Sequence, residues 1–164
     1  MITLEQAVLL ALKAHENRTD KAGSPAIFHP IMVLFLAQKL APHDNRMHIL
    51  AILHDTVEDT GDHSIYRKLG DKSLEEALRA ITRKKNESYR QYLGRVSQNH
   101  LARNIKMLDL VHNISRGAGK PEFAELVDRY QDGLRYLNKS PLVIKTLAKQ
   151  EISPELLITE AEGV

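Results

Sequence analysis

Residues 45–60 read Asn45-Arg46-Met47-His48-Ile49-Leu50-Ala51-Ile52-Leu53-His54-Asp55-Thr56-Val57-Glu58-Asp59-Thr60. Met47, Ile49, Leu50, Ile52 and Leu53 give this stretch the spacing of an apolar helix, predicted over about 45–57. It runs directly into an imidazole and a carboxyl, His54 and Asp55. Just upstream, Ile31-Met32-Val33-Leu34-Phe35-Leu36 is apolar nearly all round, so a helix over about Pro30–Leu40 belongs in a core. Pro30 suits its first turn, where the missing N–H costs nothing. Pro42 and Asp44 break the chain and restart it between the two segments.

The same reading extends in both directions. Thr3 and Gln6 form a capping box for a first helix over about Leu4–Glu16. A polar loop, 17–28, holds Gly23 and Pro25. Further helices are predicted near 64–69, 73–83, 88–97, 100–114 and 122–137, then 141–149 and a weak one at 154–160. No run alternates apolar and polar residues for the length of a strand, and no repeat or low-complexity linker divides the chain. The expectation is a single all-α domain over residues 1–164.

Composition narrows the function. Lys plus Arg is 23 against 21 Asp plus Glu, a formal net charge of +2, without the basic excess of a nucleic-acid protein. The absence of cysteine excludes disulfides, thiolate metal sites and cysteine nucleophiles. No uncharged stretch approaches the ~18 residues that cross a bilayer. Acids stand where a signal peptide carries its basic flank, so a cytoplasmic protein is expected. The chain has 8 histidines and no tryptophan, which makes imidazole the first metal ligand to consider.

Some of these imidazoles and acids sit inside apolar segments, where they are expensive. His29 opens the second helix, His54 and Asp55 end the third, and Asp109 lies between Met107-Leu108 and Leu110-Val111. Each has a plain structural reading. His29 before proline suits a helix start, His54-Asp55 a helix end with a solvated acid, and Asp109 a buried ion pair with Lys106. A divalent metal would satisfy two imidazoles and two carboxylates together, and mixed N/O ligation favours Mn, Fe, Co, Ni or Zn over Ca or Mg.

Lys21-Ala-Gly-Ser-Pro25, His29-Pro30, Leu53-His-Asp-Thr-Val-Glu-Asp-Thr60 and Lys106-Met-Leu-Asp-Leu-Val-His-Asn113 together resemble the HD phosphohydrolase superfamily. More narrowly, the chain is similar over about residues 4–137 to the hydrolase domain of the stringent-response (p)ppGpp enzymes and their small stand-alone relatives. The resemblance implies a compact multi-helix HD-domain bundle and one divalent metal, usually manganese in that branch. It implies His29, His54, Asp55 and Asp109 as metal ligands. Glu58 and Asp59 match the pair that positions or activates the attacking water and protonates the leaving group. Asn113 matches a nucleotide contact and Lys21 a basic contact near the substrate.

A phosphoryl substrate needs cations to offset its charge, and Lys21, Arg83, Lys84 and Lys106 are candidates, with a solvated face as the plain reading of Arg83-Lys84-Lys85. The sequence departs from the (p)ppGpp pattern at Asp20, where an arginine normally stacks on the base, and at Ala26, where an aromatic residue is usual. Asp20 is therefore expected beside the base or ribose. Gly117-Ala-Gly-Lys120 lacks the spacing of a phosphate loop and reads as a turn. The expected activity is nucleotide phosphohydrolysis, of the guanosine 3′,5′-bis(diphosphate) 3′-pyrophosphohydrolase kind. Its rivals are another nucleotide phosphomonoesterase or triphosphohydrolase on the same site, and a nucleotide-sensing module without turnover. The expected partner is a small nucleotide rather than nucleic acid or membrane, with a homo-oligomer left open.

Overall fold

A computed structural model describes residues 1–20 and 23–138, and among these every regular element is helical. The helices predicted at 141–149 and 154–160, and Lys21, lie outside the described residues. The chain forms two units, the first Met1–Lys106 and the second beginning at Met107. None of the described helices is long and apolar enough to cross a membrane.

The first unit holds α1 (Leu4–Ala14), α2 (Phe28–Leu40), α3 (Asn45–Leu53), α4 (Thr56–Thr60), α5 (Ser64–Lys68), α6 (Lys72–Ile81) and α7 (Tyr89–Ser97). At its centre is α3, buried at every position from Met47 to Leu53 and packed against α1, α2 and α6. Burying Ile49, Leu50, Ile52 and Leu53 is worth about 1.5–3 kcal/mol each. The Asp44 side chain starts α3 by accepting from the Met47 N–H at 3.0 Å. The capping box at Thr3 and Gln6 is present as the sequence predicts, and the small Ala7 and Ala11 form the buried face of α1.

The predicted third helix does not run on to Val57. It stops at Leu53 and restarts as α4 at Thr56. The His54 imidazole explains the break: its Nδ1 donates to the Ala51 carbonyl at 2.8 Å, the group that the Asp55 N–H would take in an unbroken helix. Gly61, at φ +69°, closes α4 through its N–H to the Val57 carbonyl at 2.8 Å. α2 starts at Phe28, two residues before Pro30, because the first-turn N–H groups need no intrahelical partner. Nor is α2 buried all round: Val33, Leu36, Ala37 and Leu40 face inward, while Phe28, Ile31, Met32 and Phe35 are 40–56% exposed.

α8 (His100–Gly117) begins in the first unit, capped by the Asn99 side chain on the Ala102 N–H at 2.9 Å, and continues into the second. There Leu108, Leu110, Val111 and Ile114 are buried, and α8 runs three residues past its predicted end. A 3-10 turn, Pro121–Phe123, leads into α9 (Ala124–Leu137). A Cβ at Gly117 would meet Val127 Cγ2 at 2.6 Å, so a larger residue there would have to displace that methyl where α8 and α9 approach. The Lys120 N–H donates to the Gly117 carbonyl at 3.1 Å, which makes residues 117–120 the turn that the sequence suggests.

Candidate metal centre

Near the start of α2, His29 projects its Nε2 to within 3.2 Å of Nε2 of His54, at the end of α3. Oδ2 of Asp55, between α3 and α4, lies 3.4 Å from the first nitrogen and 3.0 Å from the second. These three atoms lie within 4.8 Å of one another. A carbonyl oxygen only accepts, so the bond to Ala51 places a proton on His54 Nδ1 and leaves Nε2 as the ring nitrogen that faces the cluster. Two imidazole nitrogens and one carboxylate oxygen converging in this way fit a divalent cation of borderline softness. Desolvation opposes ionisation of Asp55, yet the adjacent His54 and His29 hold its carboxyl well below the usual range.

Asp109, the fourth ligand the resemblance implies, belongs to α8 in the second unit. It is 2% exposed, and its Oδ1 accepts from Nδ2 of Asn113 at 2.6 Å. The helical i,i+4 spacing puts these two residues on one face. Asn113 is thus tied to the acid rather than extended alone towards solvent.

Glu58 and Asp59 occupy α4 on the far side of the helix break, so Glu58 does not share a continuous helix with His54. Oε2 of Glu58 accepts from the Arg83 N–H at 3.1 Å. Crowding by surrounding protein pushes the Glu58 pKa up against that hydrogen bond, and the charges of Asp55 and Asp59 add to the rise while Lys106 opposes it. Glu58 also edges a cavity of about 1000 Å³ whose wall includes Arg79, Arg83, Lys84, Lys85 and Arg95. Three of these cations are already engaged, and Arg83 Nη2 donates to the Glu87 carbonyl at 3.4 Å. Arg79 donates to Glu75 at 2.7 Å and stacks 3.9 Å over Tyr66, while Arg95 binds the carbonyls of Arg79, Ala80 and Thr82 and pairs with Glu87. Arg83, Lys84 and Lys85 are exposed where they line the cavity beside Glu58. The Lys106 ammonium sits 5.4 Å over the Tyr92 ring.

Asp20 has a local role that the sequence reading did not anticipate. Its Oδ1 accepts from the Ser24 N–H at 3.0 Å, and its own N–H donates to the Ser24 carbonyl at 2.8 Å. The carboxyl thus organises the loop between α1 and α2. Two further residues also went unread. His15 is 4% exposed, and its Nε2 donates to Oδ2 of Asp59 at 3.1 Å; Arg18 Nη1 donates to the Asp59 carbonyl at 2.7 Å. Register could have found His15, which follows Ala7 and Ala11 at four-residue steps on the inward face of α1.

A family model of the HD domain matches residues 27–158. Among curated proteins, the chain is 31% identical over 133 residues to the bifunctional (p)ppGpp synthase/hydrolase SpoT of Escherichia coli, covering 73% of this chain and 19% of that one. The guanosine-3′,5′-bis(diphosphate) 3′-pyrophosphohydrolase of Shigella flexneri matches at the same 31% identity and the same coverage. The chain thus spans about a fifth of the length of these relatives. The matched region takes in the His54-Asp55 pair and its converging partner His29; sequence, fold and site agree that this chain belongs to the HD domain family.

Proposed function

We propose that the chain is a metal-dependent phosphohydrolase of nucleotides, and that its substrate is a guanosine 3′,5′-bis(diphosphate)-type molecule cleaved at the 3′-pyrophosphate. The observation that carries this reading is the convergence of His29, His54 and Asp55 donor atoms within 4.8 Å. The 31% identity to two hydrolases named for that substrate supports the finer assignment. In this reading Asp109 completes the ligand set and manganese is the expected ion. When bound, the cation supplies charge stabilisation at the phosphoryl group and lowers the pKa of water.

The protein's own groups then divide the remaining work. Glu58, with one oxygen on the Arg83 N–H and a raised pKa, can take the proton of the attacking water and return it to the leaving oxygen. Asp59 orients the water as a hydrogen-bond acceptor. Water oxygen joins phosphorus, the bond between phosphorus and the ribose 3′-oxygen breaks, and the proton ends on that oxygen. The products are pyrophosphate and a free 3′-hydroxyl. Arg83, Lys84 and Lys85 offset the charge of the second diphosphate, with Lys21, Lys106 and Asn113 as further contacts.

Asp20 favours a second reading on the same site. An acid at the position where (p)ppGpp hydrolases carry a stacking arginine cannot grip guanine by cation–π contact, and this one is already engaged with Ser24. A different nucleotide would then be the better substrate. The discriminating experiment offers the manganese-loaded chain ppGpp, nucleoside triphosphates and nucleoside monophosphates in parallel. Stoichiometric pyrophosphate from ppGpp is the expected result. Orthophosphate or tripolyphosphate from another nucleotide, with ppGpp untouched, selects the second reading, and no turnover of any nucleotide overturns both.

A further inference from the structure

His15 ends α1 with both ring nitrogens facing acceptors. Nδ1 lies 2.8 Å from the Ala11 carbonyl oxygen and Nε2 lies 3.1 Å from Oδ2 of Asp59. Neither a carbonyl nor a carboxylate donates a proton, whereas a neutral imidazole carries only one N–H. The neutral ring would press a lone pair against one acceptor in a site that is 4% exposed, a buried mismatch that water does not relieve. The geometry therefore calls for an imidazolium with N–H on both nitrogens. The groups acting on it are consistent with that state: the Asp59 hydrogen bond raises its pKa, burial opposes this, and the charges of Asp59 and Asp55 add to the rise. From the main-chain side, Arg18 holds the Asp59 carbonyl at 2.7 Å.

We propose that His15 is a positioning residue for the hydrolysis: by engaging Oδ2 of Asp59 it fixes the direction of that carboxyl and leaves Oδ1 as the oxygen that serves the reaction. This rests on the reading of Asp59 as part of the hydrolytic pair. α1 carries none of the proposed metal ligands, yet it packs on α4 and delivers the group that sets the orientation of its acid. An acid whose two oxygens are made inequivalent in this way presents one acceptor rather than a freely rotating pair. Small misplacements of a catalytic group cost about 10²-fold, so the orientation bears on kcat more than on KM.

Two conservative variants take the ring apart. The glutamine amide of His15→Gln reproduces the Nε2 position that meets Asp59, whereas that of His15→Asn reproduces the Nδ1 position that meets Ala11. In the full chain with manganese, His15→Gln is expected to keep kcat within about threefold, and His15→Asn to lose about tenfold or more at nearly constant KM. In an Asp59→Asn background neither variant should change kcat further, because the acid they would orient is gone. Equal losses in the two variants, or losses that add to that of Asp59→Asn, would overturn the proposal. The ring's charge is read without any turnover: followed by nitrogen NMR shifts as pH rises, both His15 nitrogens of the full chain should stay protonated to a higher pH than in Asp59→Asn. A neutral His15 in a hydrolytically active chain overturns the pairing. A charged His15 in a chain that turns over no nucleotide overturns the hydrolytic reading and the positioning role with it.

Discussion

Nε2 of His29 stands 3.2 Å from Nε2 of His54 across 25 residues of sequence, and a His54 proton is committed to the Ala51 carbonyl on the other side of its ring. Two imidazoles approach in this way where a proton or a cation lies between them, and Asp55 Oδ2 closes the set at 3.0 and 3.4 Å. His54→Ala should abolish stoichiometric binding of manganese or zinc, and so should Asp109→Ala if that residue completes the set. Metal content after dialysis checks this; unchanged stoichiometry in both variants removes the ligand assignment. Because a bound ion stabilises only the folded chain, metal at about 100 times its Kd should add about 2.7 kcal/mol, seen as a rise in Tm that a chelator reverses.

Glu58→Gln keeps the side chain's shape and removes its charge. Metal stoichiometry should hold while turnover falls by about 10²-fold or more. Stability should move the opposite way. A carboxyl whose folded pKa lies above its unfolded value destabilises the folded chain once pH exceeds both values, and burial raises that of Glu58. The variant should therefore melt higher than the parent at pH 7, and the gap should close as pH falls below 4.5, the ordinary value for the group. Thermal melts at several pH values and initial rates together check both halves.

The His15–Asp59 pair predicts a dependence of the reverse range. The folded pKa of His15 is raised above 6.5 by its bond to Asp59, so its contribution to stability is full below 6.5 and is lost as pH rises through the folded value. Asp59→Asn removes the anionic partner and should flatten that part of the stability curve. The loss below pH 6.5 should be roughly 1–2 kcal/mol, the range for a hydrogen bond to a charged group whose partner is partly exposed. Urea unfolding between pH 5.5 and 8.5 measures it, and a parent curve that is flat there contradicts the pairing.

Asp20→Asn separates the acid's charge from its turn-forming oxygen. The amide oxygen can still accept from the Ser24 N–H, which Asp20 Oδ1 does at 3.0 Å, so Tm should stay near that of the parent. Removing a negative charge beside a polyanionic substrate should raise kcat/KM for ppGpp by roughly threefold to tenfold. Asp20→Arg loses the turn contact and should cost about 1 kcal/mol of stability. An Asp20→Asn variant with unchanged kinetics places the loop away from the substrate.

Lys84 and Lys85 line the cavity that Glu58 edges. Replacing both by alanine should raise KM for a polyphosphorylated nucleotide several-fold, about 1 kcal/mol of lost binding, while leaving kcat nearly unchanged. The effect should shrink as salt rises, since the interaction is between exposed charges. Equal kcat and KM at low salt assign the two lysines to solvent.

The sequence by itself determined the helical character of the described residues, the apolar α3 of the first unit and the candidacy of His54 and Asp55, whose donor atoms converge with that of His29. Those follow from period, caps and the cost of placing His54 and Asp55 in an apolar run, all of which are local. The first-turn cap at Thr3 and the turn at residues 117–120 were legible for the same reason. Tertiary structure decided the rest. The helix break at His54 depends on an imidazole outcompeting a backbone N–H for the Ala51 carbonyl, which no period reports. The exposure of Phe28, Ile31, Met32 and Phe35 depends on which side of α2 meets α3, and an apolar run does not say. Asp20 reads as a substrate contact from its neighbour Lys21, and the fold also sets its Oδ1 on the Ser24 N–H. His15 meets Asp59 across 44 residues; only folding brings α1 against α4, and only that approach sets a buried imidazole within hydrogen-bond reach of an acid.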